Sequence, residues 1–307
     1  MLSIVGCTGF VGTNLVLQKS FDGLYNSKNI YEAYGTNPEL LVYSGVRAEK
    51  YLANNNPEKD YANIQDAITN IERIKPKFLV LISTVDVYKN PMNVDEDSFI
   101  DVENLHPYGL NRYLLEKWVV ENIKNYLIIR LPGLYGVNLK KNFIFDMINI
   151  IPSMLTYAKY TELSLNNSYI SGYYTKLENG FYKCNKLTIK ERNSLKAYFN
   201  EIGFSALNFT DSRANFQFYN LACLWNHIQI ALHHKIKKMN IATEPVTPAE
   251  IFRYINHKDF VNEVVTKPIQ YNFKTKYADT FNGTNGYIFN KSFILKDIKN
   301  FIKGDLS

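Results

Sequence analysis

Met1-Leu-Ser-Ile-Val-Gly6-Cys-Thr-Gly9-Phe-Val-Gly12-Thr13-Asn-Leu-Val-Leu-Gln18 is the stretch on which the reading of the chain turns. Met1 to Val5 reads as a short buried strand and Thr13 onward as a helix, with glycines at every third position of the joint. The physical demand for glycine there is threefold. One makes the tight turn, one lets the backbone approach a pyrophosphate, and one lets the helix pack close on the strand, with the helix N-terminus facing the anion. Gly6, Thr8, Gly9, Phe10, Val11 and Gly12 are therefore the candidate anion-binding residues. A glycine-rich turn without a ligand is the alternative.

Working outward, the 307 residues suffice for a sizeable core, and the length suits a nucleotide-binding domain with a smaller partner. Apolar residues make up 46% and charged residues 21%, the balance of an ordinary soluble globular protein. The net charge of +6, from 35 basic and 29 acidic residues, is spread without a long basic run, which favours an anionic small molecule over nucleic acid. Cys7, Cys184 and Cys223 are odd in number and far apart, so a reducing, cytoplasmic setting is expected and a disulfide framework is not. No spacing suggests a metal site, the N-terminus does not read as a signal peptide, and no apolar run reaches membrane-spanning length.

A second strand is expected near Gly23-Leu-Tyr25, followed by Asn26, Ser27 and Lys28. Sites for NAD place an acid here to hold the adenosine 2′-hydroxyl, whereas a 2′-phosphate favours polar and basic groups, so NADP is preferred slightly over NAD. Glu39 to Arg47 reads as the next parallel strand, with Gly45 at its carboxyl end, where open α/β sheets line their ligand crevice. Ala48 to Asp60 reads as a polar loop broken by Pro57, and Tyr61 to Ile74 as a helix with Ile64, Ala67, Ile68 and Ile71 on one side.

Residues 106–119, His-Pro-Tyr-Gly-Leu-Asn-Arg-Tyr-Leu-Leu-Glu-Lys-Trp-Val, place Tyr108 and Arg112 one helical turn apart. Pro107 suits the first helical position, and Leu110, Leu114 and Trp118 suggest the buried edge. A phenol beside a fixed cation can be pushed toward phenolate and move a proton. Before it, Phe78-Leu-Val-Leu-Ile-Ser-Thr-Val-Asp-Val-Tyr88 is an apolar strand ending in two hydroxyls, and after it comes Arg130-Leu-Pro-Gly-Leu-Tyr-Gly136.

Taken together, these segments resemble the extended short-chain dehydrogenase/reductases, the NAD-dependent epimerase/dehydratase family, whose Tyr-x-x-x-Lys pair follows a Ser/Thr-bearing strand end. The family's Lys is Arg112 in this chain. The resemblance implies a doubly wound parallel Rossmann sheet with a smaller, interleaved substrate-binding domain. It implies Thr84, Tyr108 and Arg112 as catalytic residues. Ser83, Gly45, Leu131, Pro132 and Gly133 join the glycine loop, Asn26, Ser27, Lys28, Tyr108 and Arg112 as cofactor contacts. Lys140, Lys141 and Asn142 follow where a nucleotide-sugar diphosphate would be met, and Asp95-Glu-Asp97 is read as loop and hinge rather than general base.

The strand and helix rhythm stops from about Asn142 to Asp211 and resumes with Phe216 to Tyr219, Asn220 to His233, Lys238 to Ala242 and a capped helix start at Thr247-Pro-Ala-Glu. The expected division is 1–141 with 212–256 for the NAD(P)-binding domain, and 142–211 with 257–307 for the substrate-binding domain. The expected activity is an NAD(P)-dependent oxidoreductase, epimerase or dehydratase acting on a nucleotide-linked sugar. The alternative is a non-catalytic NAD(P)-binding sensor or scaffold, which the Arg at position 112 favours. The resemblance also implies a homodimer through the Tyr61–Ile74 and Pro107–Asn122 helices, with Trp118 and Val119 as apolar surface. Neither nucleic acid nor membrane is expected as a partner.

Overall fold

The computed structural model describes residues 1–166 and 168–305. The strands are β1 Leu2–Val5, β2 Gly23–Tyr25, β3 Leu40–Tyr43, β4 Leu79–Thr84, β5 Tyr126–Leu131, β6 Gly133–Tyr135, β7 Met154–Leu155, β8 Tyr174–Lys176, β9 Tyr182–Cys184, β10 Phe218–Asn220 and β11 Lys238–Asn240. The α-helices are α1 Phe10–Gln18, α2 Lys50–Asn55, α3 Pro57–Ile74, α4 Pro107–Asn122, α5 Phe143–Ile148, α6 Tyr157–Asn166, α7 Ile189–Glu201, α8 Leu224–His233, α9 Pro248–Asn256 and α10 Lys291–Asp305.

Six strands form one parallel sheet in the order β11-β5-β4-β3-β1-β2. Both faces are covered, which is why these strands read as near-continuous apolar runs. Along each strand successive side chains serve opposite faces. Ile4, Val42, Val80 and Leu127 pack toward Leu15 of α1 and Ile228 of α8, while Val5, Leu41, Leu81 and Ile128 pack toward Ile64 and Ile71 of α3 and Leu115 of α4. This is the doubly wound Rossmann arrangement, with the order reversing between β1 and β3 and the helix-bearing loops at the strands' carboxyl ends.

The chain divides into two compact units. One comprises Met1–Leu139, Asn215–Val246 and Ile269–Asp297; the other comprises Lys140–Ala214, Thr247–Pro268 and Ile298–Ser307, of which the last two residues lie outside the description. The break expected at 256 falls at Val246, so the capped helix α9 groups with the second unit. The segment Ile269–Asp297 groups with the first unit, because its backbone bonds to β11's extension and to the loop after β4, as in Ile288 N–H to Ala242 O and Lys274 N–H to Val94 O. The second unit has its own core of Ile151, Leu155, Leu163, Leu195 and Phe199 around the antiparallel sheet β7-β9-β8.

Two local expectations fail for identifiable reasons. Residues 48–60 are not a polar loop: α2 spans Lys50–Asn55, and α3 starts at Pro57, whose missing N–H costs nothing at that position, with Asn56 Oδ1 accepting from Lys59 N–H at 3.2 Å. On α4 the buried line is Tyr108, Asn111, Arg112, Leu115, Glu116 and Val119 rather than Leu110, Leu114 and Trp118. The stripe is rotated because polar side chains occupy most of it, and apolar periodicity does not register them.

Candidate active site

The first unit carries the candidate site on the carboxyl ends of β1, β3, β4 and β5. At β1 the loop is made by backbone constraints. Gly6 has φ +88°, and a Cβ there would lie 2.5 Å from Ser44 O; a Cβ on Gly12 would lie 2.0 Å from Gly6 O. Neither position admits another residue without backbone movement. Gly9 differs, since its Cβ would meet only Gly6 O at 3.3 Å. The chain's own packing presses less on Gly9 than on its two neighbours in the loop, and a ligand lying across the loop would add a further reason for a glycine there. α1 begins immediately after Gly9, with no side-chain cap and no acid in its first turn, so the amides of Phe10, Val11 and Gly12 face an end suited to an anion. A dinucleotide pyrophosphate fits this cradle, and Thr8 is exposed beside it.

Asn26, Ser27 and Lys28 follow directly on β2, next to that loop. Asn26 Oδ1 accepts from Lys28 N–H at 2.9 Å, and its amide nitrogen lies 4.0 Å from Cys7 Sγ, while Ser27 and Lys28 are exposed. Gly45 stands exposed at the end of β3, against Val5.

At β4 the two hydroxyls part company. Thr84 is half-buried; its Oγ1 accepts from Asp86 N–H at 3.1 Å, and its hydroxyl side is near enough to Tyr108 to pull the phenol's pKa down. Ser83 instead donates to Glu116 Oε1 at 2.5 Å, within a buried network. Glu116 there forms a forked pair with Arg130, Nε to Oε1 at 3.0 Å and Nη2 to Oε2 at 2.6 Å, and Arg130 Nη1 donates to Tyr88 Oη at 2.6 Å. Burial pulls the Arg130 guanidinium down, but contact with Glu116 outweighs it and the net shift is upward. Farther in, Glu96 accepts from Asn240 N–H, Thr275 Oγ1 and Lys276 N–H, which makes the middle residue of Asp95-Glu-Asp97 an internal anchor.

Tyr108 opens α4, 7% exposed, with its N–H donating to Asn54 Oδ1 of α2 at 3.0 Å. Burial raises its phenol above the ordinary value of 10; Arg112 and Thr84 oppose that, Asp86 and Asp60 add to it, and burial prevails. Arg112 therefore does not carry the free phenol to phenolate. Its guanidinium lies over the ring face, 4.1 Å from the centroid, and its donors are committed: Nη1 to Asp60 of α3 and Nη2 to the Arg47 carbonyl. Asp60 also accepts from Asn111 Nδ2 at 2.8 Å, so the pair is buried, neutralised and held by two helices and a loop.

On the far side of Thr84, Asp86 Oδ1 accepts from Lys50 Nζ at 2.9 Å and from Tyr271 Oη at 2.9 Å. His106 caps α4 through Nδ1, accepting from Gly109 N–H at 3.0 Å. Burial holds His106 below its usual range, Lys50 pushes it the same way, and Asp86 opposes.

Past β5, Leu131 is buried and Gly133 N–H donates to Gln217 O at 3.0 Å, so that amide serves β6 and its partner β10; Pro132 is half-buried, and with no N–H it offers only its carbonyl as a polar backbone group. Lys140, Lys141 and Asn142 belong to the second unit, where Asn142 caps α5 by accepting from Phe145 N–H. Val119 is fully buried against the sheet rather than on the surface, and Trp118 packs partly against the same core. Glu116 was findable from sequence, since Tyr108, Arg112 and Glu116 recur at i, i+4 and i+8. Asp60, Asn54, Lys50 and Tyr271 lie 36 to 185 residues from their partners, and no local pattern announces them.

The six-stranded parallel sheet with a glycine turn at β1, Thr84 at the end of β4 and Tyr108 at the head of α4 is the doubly wound Rossmann arrangement. No family model matches the sequence, and no curated protein does either. Among solved structures the chain is similar to dTDP-4-dehydrorhamnose reductase from Bacillus anthracis in complex with NADP, at 16% identity over 99% of this chain and 97% of that one, with a TM-score of 0.64. It is also similar to dTDP-4-dehydrorhamnose reductase from Yersinia enterocolitica, at 12% identity over 98% of each chain and a TM-score of 0.63. UDP-glucose 4-epimerase from Thermotoga maritima with UDP-glucose matches at 10% identity over 100% of this chain and 99% of that one, with a TM-score of 0.61. Likeness at these identities establishes the fold. Among the described residues, no helix is long and apolar enough to cross a membrane.

Proposed function

We propose that this protein is a nicotinamide-dinucleotide-dependent enzyme acting on a nucleotide-linked sugar. The observation that carries the reading is the neighbourhood of Thr84 and the buried Tyr108 at the same sheet edge as a glycine loop where a Cβ on Gly9 would meet a single backbone oxygen at 3.3 Å, against 2.5 and 2.0 Å at Gly6 and Gly12. A bound dinucleotide supplies the hydride exchanged with a sugar carbon. The protein's part is to position and to manage the proton. Gly9 and the amides of Phe10 to Gly12 receive the pyrophosphate, and Ser27 and Lys28 favour a 2′-phosphate, hence NADP, although the fold also serves NAD. Thr84 orients the reacting oxygen and Tyr108 moves its proton. A phenol kept protonated by burial suits proton delivery to a carbonyl oxygen, so reduction is favoured over epimerisation or dehydration. The nucleotide-sugar class is suggested by the similar proteins, two of them named as dTDP-4-dehydrorhamnose reductases and one as a UDP-glucose epimerase.

A second reading, a dinucleotide-binding sensor without turnover, is favoured by the locked Arg112–Asp60 pair. The two separate in one series of measurements. NADPH fluorescence with the purified protein tests binding, and consumption of NADPH across a panel of dTDP- and UDP-linked keto sugars tests turnover. Binding with no consumption supports the sensor; absence of binding to NADPH and NADH overturns both. The homodimer is part of the proposal, with Tyr61 and Trp118 as its apolar surface in place of Val119, and sedimentation at micromolar concentration tests it.

A further inference from the structure

We propose that Lys50 is the positioning cation of the Thr84–Tyr108 site, held ready on Asp86 while Arg112 is fixed elsewhere. The inference rests on the reading of the site as a dinucleotide-dependent enzyme. A group that passes a proton through a phenol needs a positive charge that can respond when the oxygen becomes anionic. Arg112 is poorly suited to respond. It is 5% exposed, it faces the ring rather than the hydroxyl, and both of its terminal nitrogens are bound, one of them to a buried carboxylate. Removing it from Asp60 would strand a buried charge, a cost of several kcal/mol.

Lys50 presents the opposite case. Its side chain is 44% exposed, and among the described residues its carboxylate partner is Asp86 at 2.9 Å. A pair so open to water is worth about 0–1 kcal/mol, so the ammonium exchanges partners at little cost. Asp86 fixes where that exchange happens. Its N–H bonds Thr84 Oγ1, and its carboxylate accepts from Tyr271. Its carbonyl lies so close to α4 that a Cβ on Gly109 would come within 2.1 Å of it. The start of α4, and so Tyr108, is thereby registered against Asp86 by backbone contact. The charged and titratable groups facing this point are Lys50 from α2, Asp86 after β4, Tyr271 from the returning segment, His106 and Tyr108 from α4, and the Arg112–Asp60 pair behind the ring.

His106 reports on the pair without any need for activity, because Lys50 and Asp86 act on it with opposite sign. Its imidazole resonance, assigned among the five histidines by a His106→Gln protein, is followed against pH in the unliganded protein. Lys50→Met raises the His106 titration midpoint and Asp86→Asn lowers it. In turnover, Lys50→Met loses about tenfold in kcat, the equivalent of one pKa unit at the phenol. Its basic limb moves to higher pH, NADPH affinity stays within about twofold, and Lys50→Arg restores most of the rate. A His106 midpoint unmoved in Lys50→Met overturns the inference, as does a moved midpoint with parental kcat and pH profile. A parent protein that binds no dinucleotide overturns instead the functional reading on which the inference stands, whatever His106 does.

Discussion

The glycine loop at residues 6–12 and the buried face of α4 both carry polar groups at the edge of one sheet, and they treat them in opposite ways. The loop leaves the first-turn amides of α1 without a side-chain cap, and a Cβ on Gly9 would meet one backbone oxygen at 3.3 Å. On α4 nearly every polar side chain is closed by a partner from the chain itself: Asn111 and Arg112 by Asp60, Glu116 by Arg130 and Ser83, and the N–H of Tyr108 by Asn54. The comparison teaches where chemistry remains available. What is satisfied within the chain holds the fold, and what is left open, or open to water, can act on a ligand. On the proposed reading Thr84, Tyr108, Lys50 and the glycine loop are the working groups, and Ser83, Glu116 and Arg130, bound to one another, are framework.

The largest effect belongs to the group the comparison leaves free to react. Tyr108→Phe removes the proton carrier while keeping the ring under Arg112, so turnover falls by about 10²–10⁴-fold, with NADPH affinity within about twofold and the unfolding midpoint little changed. Because burial raises the phenol of the parent protein above 10, proton donation is complete at neutral pH. The reductive rate then declines only as pH rises past that value, which a pH profile from 6 to above 10 measures. Full turnover in Tyr108→Phe would place the chemistry elsewhere.

Next comes the framework. Arg130 and Glu116 are at most 1% exposed, so Glu116→Gln leaves a guanidinium without its counter-charge and costs about 3–5 kcal/mol in urea unfolding. Ser83→Ala, which removes one neutral donor from the same carboxylate, costs about 1–2 kcal/mol. If Ser83→Ala instead left stability alone and weakened NADPH binding, Ser83 would return to the cofactor contacts.

Within the loop the comparison becomes a contrast between two glycines. Gly12→Ala drives a methyl group to 2.0 Å from the Gly6 carbonyl and disrupts folding, measured as a large loss of thermal midpoint. Gly9→Val keeps the fold within about 1 kcal/mol and weakens NADPH by tenfold or more, about 1.4 kcal/mol, since the new side chain occupies the pyrophosphate's place. A folded Gly9→Val protein with parental affinity would remove the loop from the binding site.

The same contrast explains what could be read before the fold was seen. Glycine spacing and apolar strands are local signals, and Gly6 to Gly12, β1, β4 and β5 followed from them because backbone geometry and two-sided burial constrain consecutive residues. The extra helix α2 is hidden by its Asn-rich sequence, and Pro57 beyond its end reads as a break although it opens α3. A stripe counted on leucines puts Val119 at the surface, whereas it turns inward together with Asn111, Arg112 and Glu116. Their partners Asp60 and Arg130 are distant in sequence, or on a strand whose side-chain direction is fixed only by the sheet. The role of Arg112 was legible as a departure from the resembled Tyr-x-x-x-Lys pattern. Its partner was not.

Arg112→Lys is the smallest expected change and the most direct test of the boundary between framework and working groups. Arg112 now bridges Asp60, the Arg47 carbonyl and the face of Tyr108 with a planar fork. An ammonium keeps the charge, so Asp60 is not stranded, but a single nitrogen cannot serve both the carboxylate and the carbonyl. The Arg47 carbonyl loses its donor near a surface that water reaches, a loss of about 1 kcal/mol in unfolding free energy. If Arg112 is framework and Lys50 is the cation that responds to the phenol, turnover in Arg112→Lys stays within about threefold of the parent. Combining it with Lys50→Met then gives the loss of Lys50→Met alone, because the two act on different quantities. A rate that falls by a hundredfold in Arg112→Lys, with the protein still folded, would show that the site is built around the guanidinium fork after all. The buried pair would then have to be counted among the groups that hold the reacting geometry to within about 1 Å.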